Sequence, residues 1–191
     1  MLLIAVRSER VRFALGMLAV HWGYVVRLAC SRADAIAAMQ AQPICAAIVQ
    51  AALSDGSGLE IVERLARVEP FAPPVLALLK RGEGDDALES FDIPFLHCAP
   101  DSEMVRLWLV HHEQRALRCA LAAHARRQGL TAREAELFAY EGTGLHGAAL
   151  QEAMRAAPST LSELRRRMRP KLGEAMQQAV ARASATFKQP V

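Results

Sequence analysis

The sequence predicts an α/β fold, in which helices cover both faces of a parallel sheet, followed by a small all-α unit. Over about the first 110 residues, five short apolar segments alternate with segments whose apolar residues have helical spacing. The charge then changes along the chain. Residues 1–123 contain 12 Lys and Arg against 14 Asp and Glu, whereas residues 124–191 contain 11 against 6. A length of 191 residues accommodates two such units.

The apolar pattern places each element of the first unit in turn. Helices are predicted over residues 10–20, from an N-cap at Ser31 to residue 40, and over 58–68, because their apolar residues recur every three or four positions. Strands that are apolar throughout are typical of a parallel sheet buried on both faces. Their number and spacing suit a flavodoxin-like five-stranded sheet. The predicted strands are residues 2–6, 24–29, 45–49, 75–79 and 93–98.

The end of the third strand is the first candidate functional site. In α/β sheets, ligands and catalytic groups gather where the strands end and the helices begin. Gln50 stands at that point, just before the Asp55-Gly56-Ser57-Gly58 turn. A carboxylate there serves as a nucleophile or metal ligand, and a side-chain amide does neither at ordinary pH.

This unit resembles the receiver domain of two-component response regulators over roughly residues 1–112. The best local match is Leu53-Ser54-Asp55-Gly56-Ser57-Gly58-Leu59-Glu60, which is similar to that family's loop after the third strand. The resemblance places the family's phosphoacceptor aspartate on Gln50. It places the acidic pair that holds Mg²⁺ on Arg7 and Ser8, with Glu9 the only carboxylate nearby. The switch Ser/Thr falls on Leu79, and the lysine after the fifth strand falls on Cys98.

These replacements predict a degenerate receiver that is not phosphorylated in the usual way. Mg²⁺ requires oxygen ligands, and phosphoryl transfer requires a nucleophile with charge neutralisation. Asp55 is an alternative acceptor, although its place in the loop favours a turn-forming role. A second hypothesis is that Arg7 fills the site as a plug, hydrogen-bonding Gln50 or Glu9. We predict no catalytic residue, no cofactor and no metal site, and therefore no enzyme.

The segment after the sheet is predicted as a long helical stretch over residues 101–127, in one helix or two. Residues 113–129 form a helical linker in this interpretation. The part beyond Glu113 is expected to project past the first unit, which makes it a candidate dimerisation helix. The alternative is a helix that folds back into the core. His111, His112, Cys119 and His124 lie in this stretch without the spacing of a compact zinc site. Residues 82–90 are expected to form at most one or two helical turns.

The second unit opens with a helix-start signal. Thr131 followed three residues later by Glu134 has the form of a capping box. Further helices are predicted over residues 145–156, from Pro158 through a strongly basic stretch, and over 174–186. Four short helices with the third basic are typical of a helix-turn-helix reader of DNA.

This region resembles the LuxR-type helix-turn-helix domain of response regulators over residues 130–186. The matched residues are Leu130-Thr131, Arg133-Glu134, Leu137, Gly144, Thr160-Leu161, Met168 and Lys171-Leu172-Gly173. The family's usual helix-two run falls on Gly147-Ala148-Ala149-Leu150, its recognition-helix Lys and His fall on Ser162 and Leu164, and Pro170 stands near the helix end. The candidate DNA-binding residues are Thr160, Ser162, Glu163, Arg165, Arg166, Arg167, Arg169 and Lys171.

Together these observations predict three segments, residues 1–112, 113–129 and 130–191. The predicted function is a DNA-binding transcriptional regulator that binds double-stranded DNA as a homodimer and responds through dimerisation, a regulatory protein or a ligand. The alternative is an interaction adaptor that does not bind DNA. Widely spaced cysteines and no apolar run of membrane-spanning length favour a cytoplasmic protein with reduced thiols and no membrane partner.

Overall fold

The structure, a computed structural model, describes residues 1–79, 95–96, 102–172, 176–185 and 187. The strands in this part are β1 (Leu2–Ala5), β2 (Val26–Ala29), β3 (Ala46–Gln50), β4 (Ala52–Leu53), β5 (Gly56–Ser57), β6 (Val75–Leu78) and β7 (Phe95–Leu96). The helices are α1 (Glu9–His21), α2 (Arg32–Ala41), α3 (Leu59–Ala66), α4 (Ser102–Arg127), α5 (Ala132–Gly142), α6 (Gly147–Met154), α7 (Pro158–Leu172) and α8 (Met176–Ala185).

Five strands form one parallel sheet in the order β2-β1-β3-β6-β7. This is the flavodoxin-like strand order, with β1 and β3 at the centre. Gln50 is the last residue of β3 and pairs with Leu78 at the end of β6. The predicted fold class, a flavodoxin-like parallel sheet followed by a small all-α unit, is confirmed.

Alternate side chains of the central strands enter two separate cores, as the two-residue period of a strand requires. Leu3 and Val49 pack with α2 and α3 on one face. Leu2, Ile4 and Ile48 pack with α1 and α4 on the other. Both faces are covered, which explains why these strands are apolar throughout.

The loop after β3 differs from the turn that the sequence predicts. Ala52 pairs with Ser57 in a short antiparallel hairpin of β4 and β5, immediately beyond Gln50. Two-residue strands are too short to show alternation, so the sequence pattern does not reveal them. The predicted strand over residues 93–98 is described only at 95–96. Cys98 and residues 82–90 lie outside the described residues.

Helix α4 runs unbroken for 26 residues. Val105 and Leu109 in its first half are buried on the sheet. Leu121 and Ala125 in its second half are buried in the core of the helical unit. The apolar side chains of this half are covered by helices of the same chain, as in the alternative of a helix that folds back into the core, and its role as a dimerisation helix stays a prediction.

The helical unit is built by α5 to α8 around the end of α4. Thr131 and Glu134 form the predicted capping box at the start of α5. Helix α6 ends at Arg155, which has a left-handed backbone with φ 46°, and α7 begins three residues later. The core residues in this part include Leu137, Phe138, Leu150, Met154, Leu161, Leu164 and Met168.

Two aromatic contacts join the sheet unit to the helical unit. The rings of Phe71 and Tyr140 meet edge to face with centroids 5.2 Å apart. Phe187, which follows α8, makes the same contact with Tyr24 at 5.2 Å. The Phe187 carbonyl also accepts a hydrogen bond from the Val25 amide at 3.0 Å. Among the described helices, none is both long enough and apolar enough to span a membrane.

Candidate functional sites at the strand ends and on the basic helix

The Gln50 side chain is held across the ends of β1 and β3. Its Oε1 atom accepts a hydrogen bond of 2.9 Å from the Arg7 backbone amide. The carboxamide oxygen is therefore engaged by a peptide N–H, and an amide nitrogen has no lone pair to donate to phosphorus. The group at this position stabilises the loop after β1 and supplies no nucleophile.

A guanidinium does reach the strand end, but it comes from Arg12. Its Nη1 atom donates to the carbonyl oxygens of Val6, at 2.8 Å, and Arg7, at 3.2 Å. The predicted hydrogen bond between Arg7 and Gln50 is present, but the Arg7 backbone amide makes it, and the Arg7 residue is exposed and does not plug the site. Arg12 lies in the second turn of α1, which starts beside β1. That position is the only signal by which the sequence could have revealed it.

The neighbouring residues serve local structure. Ser8 is the N-cap of α1, and its Oγ accepts from the Val11 amide at 3.5 Å. Glu9 lies in the first turn of the same helix, where a negative charge is stabilised by the helix dipole. Leu79 is buried in the core on the α2 and α3 side of the sheet.

The residues at this strand end do not fit Mg²⁺. Mg²⁺ prefers several oxygen ligands that include carboxylates. Among the described residues predicted to line this site, Arg7, Ser8, Glu9, Gln50 and Leu79, Glu9 is the one carboxylate, and the Gln50 oxygen already accepts a hydrogen bond. Across the described residues, no group of three or more His, Cys, Asp or Glu side chains is placed to hold a metal ion.

Asp55 points toward the start of helix α2. Its two carboxylate oxygens accept from the backbone amides of Ala33, at 3.0 Å, and Arg32, at 2.5 Å. These two bonds lower the pKa of Asp55 below its ordinary value, the Ala33 bond most. The carboxylate thus caps α2 from a distance of more than 20 residues in sequence. A turn-forming role predicted from sequence misses this long-range contact.

The close packing of this loop requires glycine at one position. A Cβ atom at residue 58 would lie 2.0 Å from the Gln50 carbonyl oxygen. The Gly58 amide donates to the Ala51 carbonyl at 2.7 Å. The loop therefore lies directly on the end of β3.

Helix α7 carries all eight candidate DNA-binding residues. Leu161, Leu164, Met168 and Leu172 recur every three or four positions and are buried. This stripe fixes one face of the helix on the core and turns the other outward. The candidate residues Thr160, Ser162, Arg165, Arg166, Arg167, Arg169 and Lys171 are exposed, and Glu163 is half-buried.

Two of the cations are tied to the body of the helical unit. Arg165 pairs with Glu141 of α5 at 2.7 Å. Lys171 pairs at 2.6 Å with Glu134, whose side chain is 3% exposed. Burial raises the pKa of Glu134, but the hydrogen bonds from Lys171 and the Thr131 amide outweigh it and hold that pKa below its ordinary value. Neither pairing could be predicted from sequence spacing, because the partners are 24 and 37 residues apart.

Two further cations face outward around one carboxylate. Glu163 accepts hydrogen bonds from Arg166 at 2.8 Å and from Arg167 at 2.7 Å. These bonds, the Arg166 pair first, lower the pKa of Glu163 to about 2. Both guanidinium groups stay largely exposed, at 75% and 60% of the side chain. With Arg169 they give α7 an outward surface of three arginines, which we call the α7 arginine surface.

The comparisons with known proteins concern the fold. No protein-family model matches the chain, and no curated protein matches it. A solved sensor protein from Polaromonas sp. JS666 is similar with a TM-score of 0.52 and 17% identity, over 60% of this chain and 96% of that one. At this identity the likeness shows the fold alone, and it agrees with the flavodoxin-like sheet described above.

Two longer structures align over almost the whole chain with lower scores. Full-length FixJ from B. japonicum has a TM-score of 0.45 and 16% identity, over 96% of both chains. RcsB from Salmonella enterica serovar Typhimurium, in a structure bound to promoter rprA, has a TM-score of 0.49 and 14% identity, over 94% of this chain and 98% of that one. These scores carry no conclusion about function.

Proposed function

We propose that this chain is a DNA-binding transcriptional regulator whose receiver-like unit is not switched by phosphorylation. The α7 arginine surface is the observation that carries the proposal. The buried apolar stripe of α7 fixes the helix on the core, and the three arginines of this surface are exposed to solvent. A helix presented in this way fits the DNA major groove, which is about 12 Å wide.

The eight candidate residues divide into two roles in this proposal. Arg166, Arg167 and Arg169 approach phosphates or guanine edges, since they are exposed and bound at most to a residue of their own helix. Arg165 and Lys171 hold α7 at its angle on α5 through Glu141 and Glu134. Thr160 and Ser162, near the helix start, add hydroxyl groups on the outward face.

Switching by phosphoryl transfer has no chemical basis at the end of β3. The residue there is an amide whose oxygen is occupied by the Arg7 N–H, and the nearby cation is a guanidinium engaged with backbone carbonyls. Each carboxylate oxygen of Asp55, the alternative acceptor, already accepts a hydrogen bond from an amide of α2. Regulation in this proposal comes from association or from a bound partner.

A homodimer is the second part of the proposal. Six large apolar residues on α1 and α4 are 45–68% exposed, and both helices cover the same face of the sheet. Exposed apolar patches of this kind mark interaction sites. We place the dimer contact here, since the apolar residues of 113–129 are used inside the chain. The six residues are Phe13, Met17, Val20, Met104, Leu107 and Val110.

The same exposed patch favours a second candidate function, a protein-interaction adaptor that does not bind DNA. The two candidates differ in their response to salt. A protein that neutralises phosphates loses affinity for DNA as salt rises, with a slope of about −0.9 per phosphate contact in a plot of log affinity against log salt. An adaptor would show weak binding with a flat salt dependence.

The deciding experiment measures binding of the full chain to random duplex DNA by fluorescence anisotropy across salt concentrations. We expect Arg166→Ala and Arg167→Ala each to reduce the slope by about one unit. Arg106→Ala is the matched control, because Arg106 pairs with Glu103 on α4 in the same i,i+3 geometry as Arg166 with Glu163. Equal slopes for all three variants and the parent chain would contradict the proposal.

A further inference from the structure

A cavity of about 180 Å³ lies under the sheet, at the edge opposite Gln50. It is bounded by the ends of α2 and α3, by the loop that leads into β6, and by the second half of α4. None of the residues at the end of β3 or on the α7 arginine surface lines it. Its lining includes Met39, Leu65, Glu69, Phe71, Ala122 and Arg126.

The inner wall of this cavity is apolar. Met39 and Leu65 come from the sheet unit, and Ala122 comes from α4. A closed apolar cavity of about 150 Å³ in another protein binds benzene, so this volume accommodates a single ring or a branched chain of similar size. Its wall suits an apolar body.

Two opposite charges stand at the rim. Glu69 and Arg126 both line the cavity and both are exposed. In the part of the chain that the structure describes, no ion pair of 4.0 Å or less joins them, although each is close enough to line the same space. Arg126 donates through Nη1 to the Leu130 carbonyl at 3.2 Å, which orients its guanidinium and leaves its other N–H groups available.

We propose that this cavity is a binding site for a small zwitterion with an apolar body, as in an apolar α-amino acid. The carboxylate binds the Arg126 guanidinium, which favours planar oxyanions. The ammonium group binds the Glu69 carboxylate. The side chain fills the space between Met39, Leu65 and Phe71.

The position of the cavity connects it to the helical unit. Phe71 lines the cavity and also packs edge to face on Tyr140 of α5. Ala122 lines it and belongs to the core of the helical unit. A ligand in the cavity therefore contacts residues that fix the helical unit against the sheet. Any effect of the ligand on DNA affinity rests on the proposed function, whereas binding itself does not.

Isothermal titration of the full chain with L-phenylalanine and L-leucine tests the proposal. We expect saturable 1:1 binding of at least one of them. 3-Phenylpropanoate lacks the ammonium group and phenethylamine lacks the carboxylate, so each should bind at least about tenfold more weakly than L-phenylalanine. L-Serine tests the apolar body and should not bind. Equal binding of the analogues, or no binding of either amino acid at millimolar concentration, would overturn the proposal.

Substitutions of Arg126 and Glu69 test whether these two residues bind the charged groups of the ligand. Arg126→Gln and Glu69→Gln should each weaken amino-acid binding at least about tenfold. Arg127→Gln and Glu63→Gln are the matched controls, since neither residue lines this cavity, and they should leave affinity unchanged. All four changes are at solvent-accessible positions, and circular dichroism checks that the variants fold. Unchanged affinity in Arg126→Gln and Glu69→Gln would refute the assignment.

DNA binding is measured separately from ligand binding. If titration shows amino-acid binding but DNA anisotropy shows no DNA binding, the site stands and the proposed function fails. If DNA is bound with the expected salt slope but titration detects no amino acid, the site fails and the proposed function stands.

Discussion

The ion pair between the buried Glu134 and the solvent-accessible Lys171 makes the sharpest prediction about stability. The Glu134 carboxylate, 3% exposed, accepts from Lys171 at 2.6 Å and from the Thr131 amide at 2.8 Å. Hydrogen bonds to a charged group contribute about 1.5–3 kcal/mol. We expect Glu134→Gln to lower the free energy of unfolding by about 2 kcal/mol, which corresponds to about 4–8 °C in Tm for a chain of this size.

Removing the cation should also destabilise the chain. Lys171→Met keeps the length and the helix preference of the side chain but leaves the Glu134 charge without its partner. Loss of one partner from a fully buried pair costs about 3–5 kcal/mol. Lys171 is 36% exposed, so water partly replaces it and we expect about 1–3 kcal/mol.

The effect of Glu134 should depend on pH in a definite direction. Its pKa in the folded chain is below the ordinary value of 4.5. Its contribution to stability is therefore fully present above about pH 4.5 and is lost as the pH falls through the lower folded pKa. Because Gln resembles the protonated acid, the difference between the parent chain and Glu134→Gln should shrink over that window.

Urea denaturation followed by circular dichroism, at pH 7 and below pH 4.5, measures these quantities. The double variant of Glu134→Gln and Lys171→Met completes a double-mutant cycle. The losses of unfolding free energy in the two single variants should add up to more than the loss in the double variant. Glu103→Gln is the control, since its pair with Arg106 is exposed and its loss should change stability far less than Glu134→Gln does. Additive losses, or a Glu134→Gln effect that persists unchanged at low pH, would refute the reasoning.

Two further predictions concern the contacts between and outside the units. Phe187→Ala should lower the free energy of unfolding by about 3–5 kcal/mol, because the ring is 2% exposed against Tyr24. Val68→Ala, at a position 41% exposed and outside the proposed dimer face, should change it by less than about 0.5 kcal/mol, and equal losses would contradict the packing. In sedimentation velocity, the parent chain should show a concentration-dependent dimer that Met17→Lys weakens at least about tenfold, since a charge would be buried at the contact. A monomer at all concentrations would exclude the proposed dimer face.

The sequence predicts local features of this chain well, because the residues that make them lie within one turn or one strand. The Ser31 N-cap, predicted from a hydroxyl at the helix start, and the capping box of Thr131 and Glu134, predicted from their three-residue spacing, are both confirmed. The parallel sheet could be predicted because its strands are apolar throughout. Strands that are buried on both faces do not alternate apolar and polar residues. Four helices in the second unit follow in the same way from spacing.

Contacts between residues far apart in sequence could not be predicted. The sequence predicts that Glu134 is a capping residue, and nothing near it in sequence indicates the hydrogen bond to Lys171. The sequence predicts that Asp55 forms a turn, whereas in the structure its carboxylate caps α2. The second half of α4 has an apolar stripe that suits a partner chain and its own chain equally well, and only the packing of α5 decides between them.

At the end of β3, too, the residue types predict some features of the site but not its contacts. Residue types alone predict that Gln50 is no nucleophile and that no magnesium site lies beside it. They do not reveal which cation occupies the strand end, because Arg7 is adjacent in sequence whereas Arg12 reaches back from the second turn of α1.

The central claim is that this chain binds DNA through the α7 arginine surface without phosphorylation. The most direct measurement compares DNA affinity and its salt slope before and after incubation with acetyl phosphate and Mg²⁺, with intact mass measured on the same samples. We predict an unchanged mass, the same affinity and the same slope in both. A phosphoryl adduct accompanied by tighter DNA binding would contradict the account.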